Sequence, residues 1–401
     1  MNMPDESAVR DAQRAMDDPE AGLNGPGIKA ARADPRPLLR LSLLVLGFVA
    51  LFVGMGAGLT RMGWLMPEVA QNSTGLHGPL MICGFFGVVI ALERAVALER
   101  ADAVVRLLAY LSPLAAGIAT GLALAGATTL APWFYVAAAV MLLTTAVHSF
   151  WHQRALFTFT LLLGAVAWAL GCMLWASGSL VVMVVPWWLA FLVLTVAGER
   201  LELSRLRPPS TLATRVFAAL LLAGTIGLLG ASTRWGLPLF AATLLGLALW
   251  LVKQDIARVT VRSQGLARFI AVCMMSGYAW LAVGAGVALM AGGLMPGTQV
   301  YDSVLHAVLL GFVFSMVFGH APIIFPAVLR VAVPYHPSFY LPLALLHLSL
   351  LMRLAGNVSG QYPWTRIGGV FNALALIVFI LSTMVAVMRG KIKTAPSKSA
   401  S

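Results

Sequence analysis

Along most of the chain apolar residues run in blocks of 18 or more, interrupted at short intervals by Gly, Pro or a few basic residues. A block of that length is what a helix needs to cross the hydrocarbon core of a bilayer, so each predicts a transmembrane helix. Twelve spans are expected, at about 38–60, 75–98, 104–126, 130–150, 155–176, 179–200, 212–231, 236–253, 268–292, 302–328, 338–356 and 366–388. The runs are continuous rather than alternating, which argues against a β-barrel. The expected fold class is therefore an all-α polytopic membrane protein of about twelve helices.

Three segments follow from this pattern. Residues 1–36 are polar and rich in Asp, Arg, Pro and Gly, and are expected to form a disordered cytoplasmic tail. They lack an apolar stretch of the signal-peptide kind. Residues 37–389 form the twelve-helix domain, and residues 390–401 a basic cytoplasmic tail.

Composition agrees with the pattern. The 401 residues are 60% hydrophobic and 10% charged, with a mean hydropathy of +0.89. The net charge of +12 is not read as nucleic-acid binding, because the Lys and Arg sit between spans and on the tails. The partner this distribution predicts is the lipid bilayer. Arg94, Arg100, Arg106, Arg154, Arg200, Arg205, Arg207, Arg215, Lys253, Arg258, Arg262 and Arg268 follow even-numbered spans, whereas the other loops hold little beyond Arg61, Arg234 and Arg366. By the positive-inside rule both termini are cytoplasmic, in a bacterial inner membrane. Cys83, Cys172 and Cys273 lie singly in three apolar runs and read as packing residues. Trp133, Trp187 and Trp188 fall near the outer interface and read as aromatic-belt anchors.

Ionisable residues inside a span are costly and mark candidate sites. The span containing Leu305–Arg330 carries His306 and His320. Fourteen residues of α-helix turn through about 1400° and rise about 21 Å, which puts both imidazoles on nearly one face, one toward each membrane surface. His77 opens span 2 at the depth of His306. Gly319-His320-Ala321-Pro322 is expected to break the helix, since prolines remove backbone donors.

The segments GVVIALERAVALER and LVLTVAGERLELSR place Glu93-Arg94 and Glu199-Arg200 at the same depth of spans 2 and 6, with Gly319-His320 at that depth of span 10. This suggests three units of four helices, with spans 2, 6 and 10 around a common axis. Glu93, Glu199, His320 and His148 would then share an inner level, as ligands of copper or another divalent metal or as a proton relay. The competing reading is ordinary Glu-Arg capping at the headgroups. Asp302, at i−4 from His306, is either an acceptor that orients the imidazole or a helix N-cap.

His77-Gly78-Pro79-Leu80-Met81 resembles the HGxxM segment of haem–copper oxidase subunit I, and the chain also resembles the NnrS family of multi-span haem- and copper-containing proteins associated with nitric-oxide stress. The resemblance implies haem held by His77 on span 2 and His306 on span 10, and a role in nitric-oxide response or respiratory metabolism. It departs from the oxidases at spans 6 and 7, which lack the copper-ligating histidines, so oxygen reduction is not expected. Two other functions stay open. One is a proton-coupled secondary transporter using Glu93, Glu199 and His320. The other is an assembly partner within a respiratory complex or a self-associating protein.

Overall fold

The computed structural model describes residues 36–204 and 208–394. The expected N-terminal tail up to residue 35, most of the C-terminal tail, and Arg205 and Arg207 lie outside the described residues. Among the described residues every regular element is helical. Twelve helices are long and apolar enough to span a membrane: α1 Pro37–Arg61, α2 Thr74–Ala97, α3 Ala103–Leu124, α4 Ala131–His152, α5 Leu156–Ala176, α6 Val181–Leu203, α7 Thr211–Leu229, α8 Gly236–Gln254, α9 Gly265–Met290, α10 Gln299–Leu329, α11 Pro337–Ser359 and α12 Tyr362–Gly390. Each boundary lies within four residues of the sequence expectation. The chain is an integral membrane protein.

Apart from α6 and α7, consecutive helices pack as neighbours, and α12 returns to α1. At the centre α2, α6 and α10 touch one another in all three pairs. They are also the most buried of the twelve, with 61%, 72% and 67% of their most apolar 18-residue windows buried. The expected central trio is therefore present. Membrane helices gain little from apolar burial against lipid, so close approach must come from small residues and interlocking shapes. A Cβ on Gly87 of α2 would lie 2.6 Å from the Trp168 ring of α5, and one on Gly311 of α10 would lie 2.4 Å from Trp280 of α9. α2 and α10 thus each accept a tryptophan into a notch that only glycine leaves.

Two expectations change here. Trp133 is 47% exposed as a belt residue should be, but Trp188 is fully buried, edge-on to Trp175 at 5.7 Å. It packs against α5, where Gly171 leaves room for its indole ring. The cysteines are buried, as packing residues are, yet Cys83 of α2 and Cys172 of α5 meet at 3.8 Å between sulfurs, and the Trp168 indole donates to Cys83.

The helical geometry of α2 and α10 is uneven. Each contains a π-helical stretch, Leu80–Phe86 in α2 and Ala307–Phe314 in α10. The expected break at Gly319–Pro322 is absent. Instead α10 runs in α geometry from Ser315 to Leu329, through Pro322 and Pro326, and its irregularity falls one step earlier. Both prolines lie within the helix, where each removes the one backbone donor its position would supply without ending the helix.

Candidate functional site

At one end of the central trio, His77 and His306 come together. Their ring centroids lie 6.4 Å apart and their planes differ by 15°. The local sequence explains how each ring is presented. A 3₁₀ turn over Thr74–Leu76 leads into the helix, and Pro79 sits in the first turn, where its missing N–H costs nothing. His77 therefore projects from a helix start. Its Nδ1 donates to the Gly54 carbonyl of α1 at 2.7 Å. Gly58, one turn along α1, lies against the same ring: a Cβ there would fall 2.8 Å from Cε1.

His306 ends the short α-helical opening of α10, directly before the π stretch. Its Nδ1 lies 2.8 Å from the Asp302 carbonyl and 3.2 Å from the Asp302 carboxylate. Both imidazoles thus spend Nδ1 on an acceptor, which leaves the Nε2 lone pair as the ligating atom of each. Both also sit at the lip of a π-helical stretch, a feature common at functional sites.

Asp302 is not the N-cap of α10. Thr298 is, with its hydroxyl accepting from the Tyr301 amide at 3.2 Å. The Asp302 carboxylate instead receives Arg353 of α11 through two nitrogens, at 2.9 and 2.6 Å, and the Asn357 amide at 2.8 Å. Thr365 of α12 in turn donates to the Asn357 side-chain oxygen at 3.0 Å. This chain of bonds ties α10, α11 and α12 together beside His306. Sequence reasoning missed Arg353 and Asn357. The signal was present, an ionisable residue four from an amide inside an apolar span, the same cost argument that singled out the histidines.

The opposite end is an ion-pair network. Arg94 bridges Glu93 at 3.4 Å and Glu199 at 3.0 Å, joining α2 to α6. Arg200 binds Asp255 through Nε at 2.7 Å and Nη2 at 3.0 Å, and its Nη1 donates to His320 Nε2 at 3.4 Å, joining α6 to α10. The His320 Nδ1 donates to the Met316 carbonyl at 2.8 Å, so both ring nitrogens have partners. Asp255 further accepts from the Tyr278 hydroxyl at 2.6 Å and the Ala257 amide at 2.7 Å. Asp255 lies just beyond α8, outside the spans. Burial alone would push its carboxyl up, but Arg200, Tyr278 and Ala257 outweigh burial and hold it below its ordinary value.

Glu93, Glu199 and His320 therefore share a level, as expected, but not as a metal-ligand set. Among the described residues no group of three or more His, Cys, Asp or Glu is disposed to hold a metal ion. The guanidinium groups of Arg94 and Arg200 take the places that a cation would fill. His148 stands apart, its ring 4.0 Å from that of His152 and tilted by 36°, lining a separate cavity with Arg94 and Glu202. Three further histidines have structural partners. His347 accepts from the Trp280 indole at 3.0 Å and lies 3.0 Å from the Ser276 hydroxyl. His336 caps the start of α11 by accepting from the Ser338 amide at 3.2 Å. His152 donates back to the His148 carbonyl at 2.9 Å.

The expected sharing of one face by His306 and His320 also needs revision. The count of 100° per residue holds for α-helix. A π-helix bonds i to i+5 and turns through less per residue. With Ala307–Phe314 in that geometry, His306 is turned to His77 of α2, and His320 to Arg200 of α6.

Residues 40–388 match the model of a domain of unknown function, DUF8744. The match takes in all of the central trio and both polar clusters. No curated protein matches the sequence.

Proposed function

We propose that this chain, which belongs to the DUF8744 family, is a haem-binding integral membrane protein whose axial ligands are His77 and His306. The observation that carries the reading is the pairing of these two rings, 6.4 Å apart and 15° from parallel, with Nδ1 of each already committed. Imidazole nitrogens that shared one metal would each lie about 2 Å from it, a separation of rings in keeping with the 6.4 Å between these centroids. Haem, when held there, supplies a one-electron centre whose potential its axial ligands and their hydrogen bonds set.

The residues of the chain do the positioning. Gly54 fixes the His77 ring through its carbonyl, and Gly58 leaves the space in which the ring lies. Asp302 fixes His306 and is itself held by Arg353 and Asn357, so the setting of His306 depends on both α10 and α11. The orientation that places the Lys- and Arg-rich loops in the cytoplasm puts this pair toward the outer face. A role in nitric-oxide response or respiratory metabolism rests on the NnrS and oxidase resemblance.

The test is optical. The protein is expressed with haem supply and purified in detergent. A reduced-minus-oxidised spectrum with Soret and α bands of a six-coordinate haem is expected, lost in His77→Ala and in His306→Ala. A colourless, folded protein would remove the proposal. The transporter reading is favoured by Glu93, Glu199 and His320 lining one cavity. It predicts proton-coupled uptake whatever the spectrum shows.

A further inference from the structure

The Glu93 end holds a cavity of about 630 Å³ between α1, α2, α6, α10 and α12. Its size and composition suit a small organic ligand: an extended apolar wall with a few convergent polar groups. The polar lining residues are Glu93, Glu199, His320, Thr195 and Thr383. The two threonines spend their hydroxyls on carbonyls of their own helices, Phe191 at 2.8 Å and Phe379 at 2.9 Å. Arg94 engages one oxygen of Glu93 and one of Glu199. Carboxylate oxygens are thus the groups that the protein offers a ligand at the polar end.

Three features define the chemistry that fits. Carboxylates accept hydrogen bonds and repel anions, so the head group is neutral and donates through hydroxyls. Phe85, Phe86 and Phe314 line the wall about two helical turns deeper in the bundle than Glu93 and His320, with Phe85 and Phe314 stacked at 5.8 Å and only 6° from parallel. Flat aromatic faces suit a planar ring. The rest of the lining leads to Leu38, Leu41, Met384 and Met388, which are 71%, 45%, 54% and 56% exposed. On a membrane-spanning helix pair such exposed side chains face lipid, so the cavity opens sideways into the bilayer between α1 and α12.

We propose that this cavity is a binding site for a membrane-diffusing quinol, with its ring lying between the phenylalanines and the Glu93 and Glu199 carboxylates, a hydroxyl on the carboxylates, and its apolar tail leaving between α1 and α12. The site is independent of the haem reading, since it shares no residue with the His77–His306 pair. A fatty acid or phospholipid tail would fill the same apolar volume, but its anionic head meets the two carboxylates.

The full chain, in nanodiscs made from quinone-free phospholipid, is titrated with a short-tailed benzoquinol under reducing conditions, with empty nanodiscs as the partition control. Saturable binding with one site per chain is expected. It should weaken by about tenfold or more in Val317→Trp, which fills the cavity, and in the Glu93→Gln, Glu199→Gln double variant. Met384→Trp, at the mouth, serves if Val317→Trp does not fold. Oleate should fail to displace the quinol. No saturable component in the folded protein, undiminished binding in the folded variants, or equal displacement by oleate would each overturn the assignment. Loss of the haem spectrum in His77→Ala with quinol binding intact keeps this test separate from that of the haem site.

Discussion

Gly58 and His77 are packed so closely that a single added carbon on the glycine would fall 2.8 Å from the imidazole Cε1 and 2.9 Å from its Nδ1. The position of the ring is therefore set by what α1 lacks as much as by what it offers. Gly58→Val should displace the ring from the Gly54 carbonyl. Haem occupancy should fall by about tenfold or more, with a stability loss of about 1–3 kcal/mol from overpacking. Soret absorbance per chain and thermal unfolding in detergent measure the two. Unchanged haem content would show that the notch does not position the ligand.

The Asp302–Arg353 pair makes a different prediction. Asp302→Asn keeps the shape of the side chain but removes the charge that faces both Arg353 and His306. The His306 ring should lose basicity as a ligand, and the haem midpoint potential should rise. Occupancy should be retained. A redox titration of the wild type against this variant checks it, and identical potentials would assign Asp302 to helix packing alone.

Arg200 and Asp255 form the most buried ion pair described, with side chains 5% and 1% exposed. Removing one partner strands the other, so Asp255→Asn should cost about 3–5 kcal/mol. The pair also gives a pH signature. Because the folded carboxyl lies below its ordinary value of 3.8, its contribution is present in full above that value and is lost as pH falls through the folded value. The wild-type melting temperature should therefore drop on acidification below about pH 4 more steeply than that of Asp255→Asn, which lacks the group. Parallel acid profiles would show that Asp255 does not couple protonation to stability.

Glu199→Gln separates the two functional readings. It removes one of the two carboxylates that Arg94 bridges, at the end of the bundle away from the histidine pair. The haem spectrum should be unchanged. If proteoliposomes containing the wild type show proton-coupled solute uptake that this variant abolishes, the transporter reading gains and the haem reading is not needed to explain it.

Much of this molecule can be read before folding. Span existence follows from apolar block length, a property local to each segment, and so the twelve helices fall within four residues of their expected ends. The His77–His306 encounter was legible from depth and from the HGxxM resemblance. Other features depend on which helix faces which. Nothing in VAGER tells whether Arg200 pairs with Glu199 beside it or with Asp255, 55 residues on. The metal reading of Glu93, Glu199, His320 and His148 finds no ligand group among the described residues: convergence in depth is visible in the sequence, but which carboxylate each arginine takes is not. Trp188 misled in the same way, since a tryptophan near an interface and one in a crowded core look alike in a string. The π stretches were invisible because a change from i+4 to i+5 bonding has no compositional mark.

That change of bonding has a consequence for how α10 can vary. Closing the stretch between Ala307 and Phe314 to ordinary α-helix with all of its residues kept would swing everything after it by about 100° or more relative to His306, because i+5 bonding takes up an extra residue without advancing the helix as far. His320 would leave Arg200, while His306 kept its place against His77. The eight residues act as a phase adjuster between two ends of a single rod, so that each end is aimed at its own neighbour. The length of that stretch, rather than the identity of any residue in it, is what the arrangement depends on.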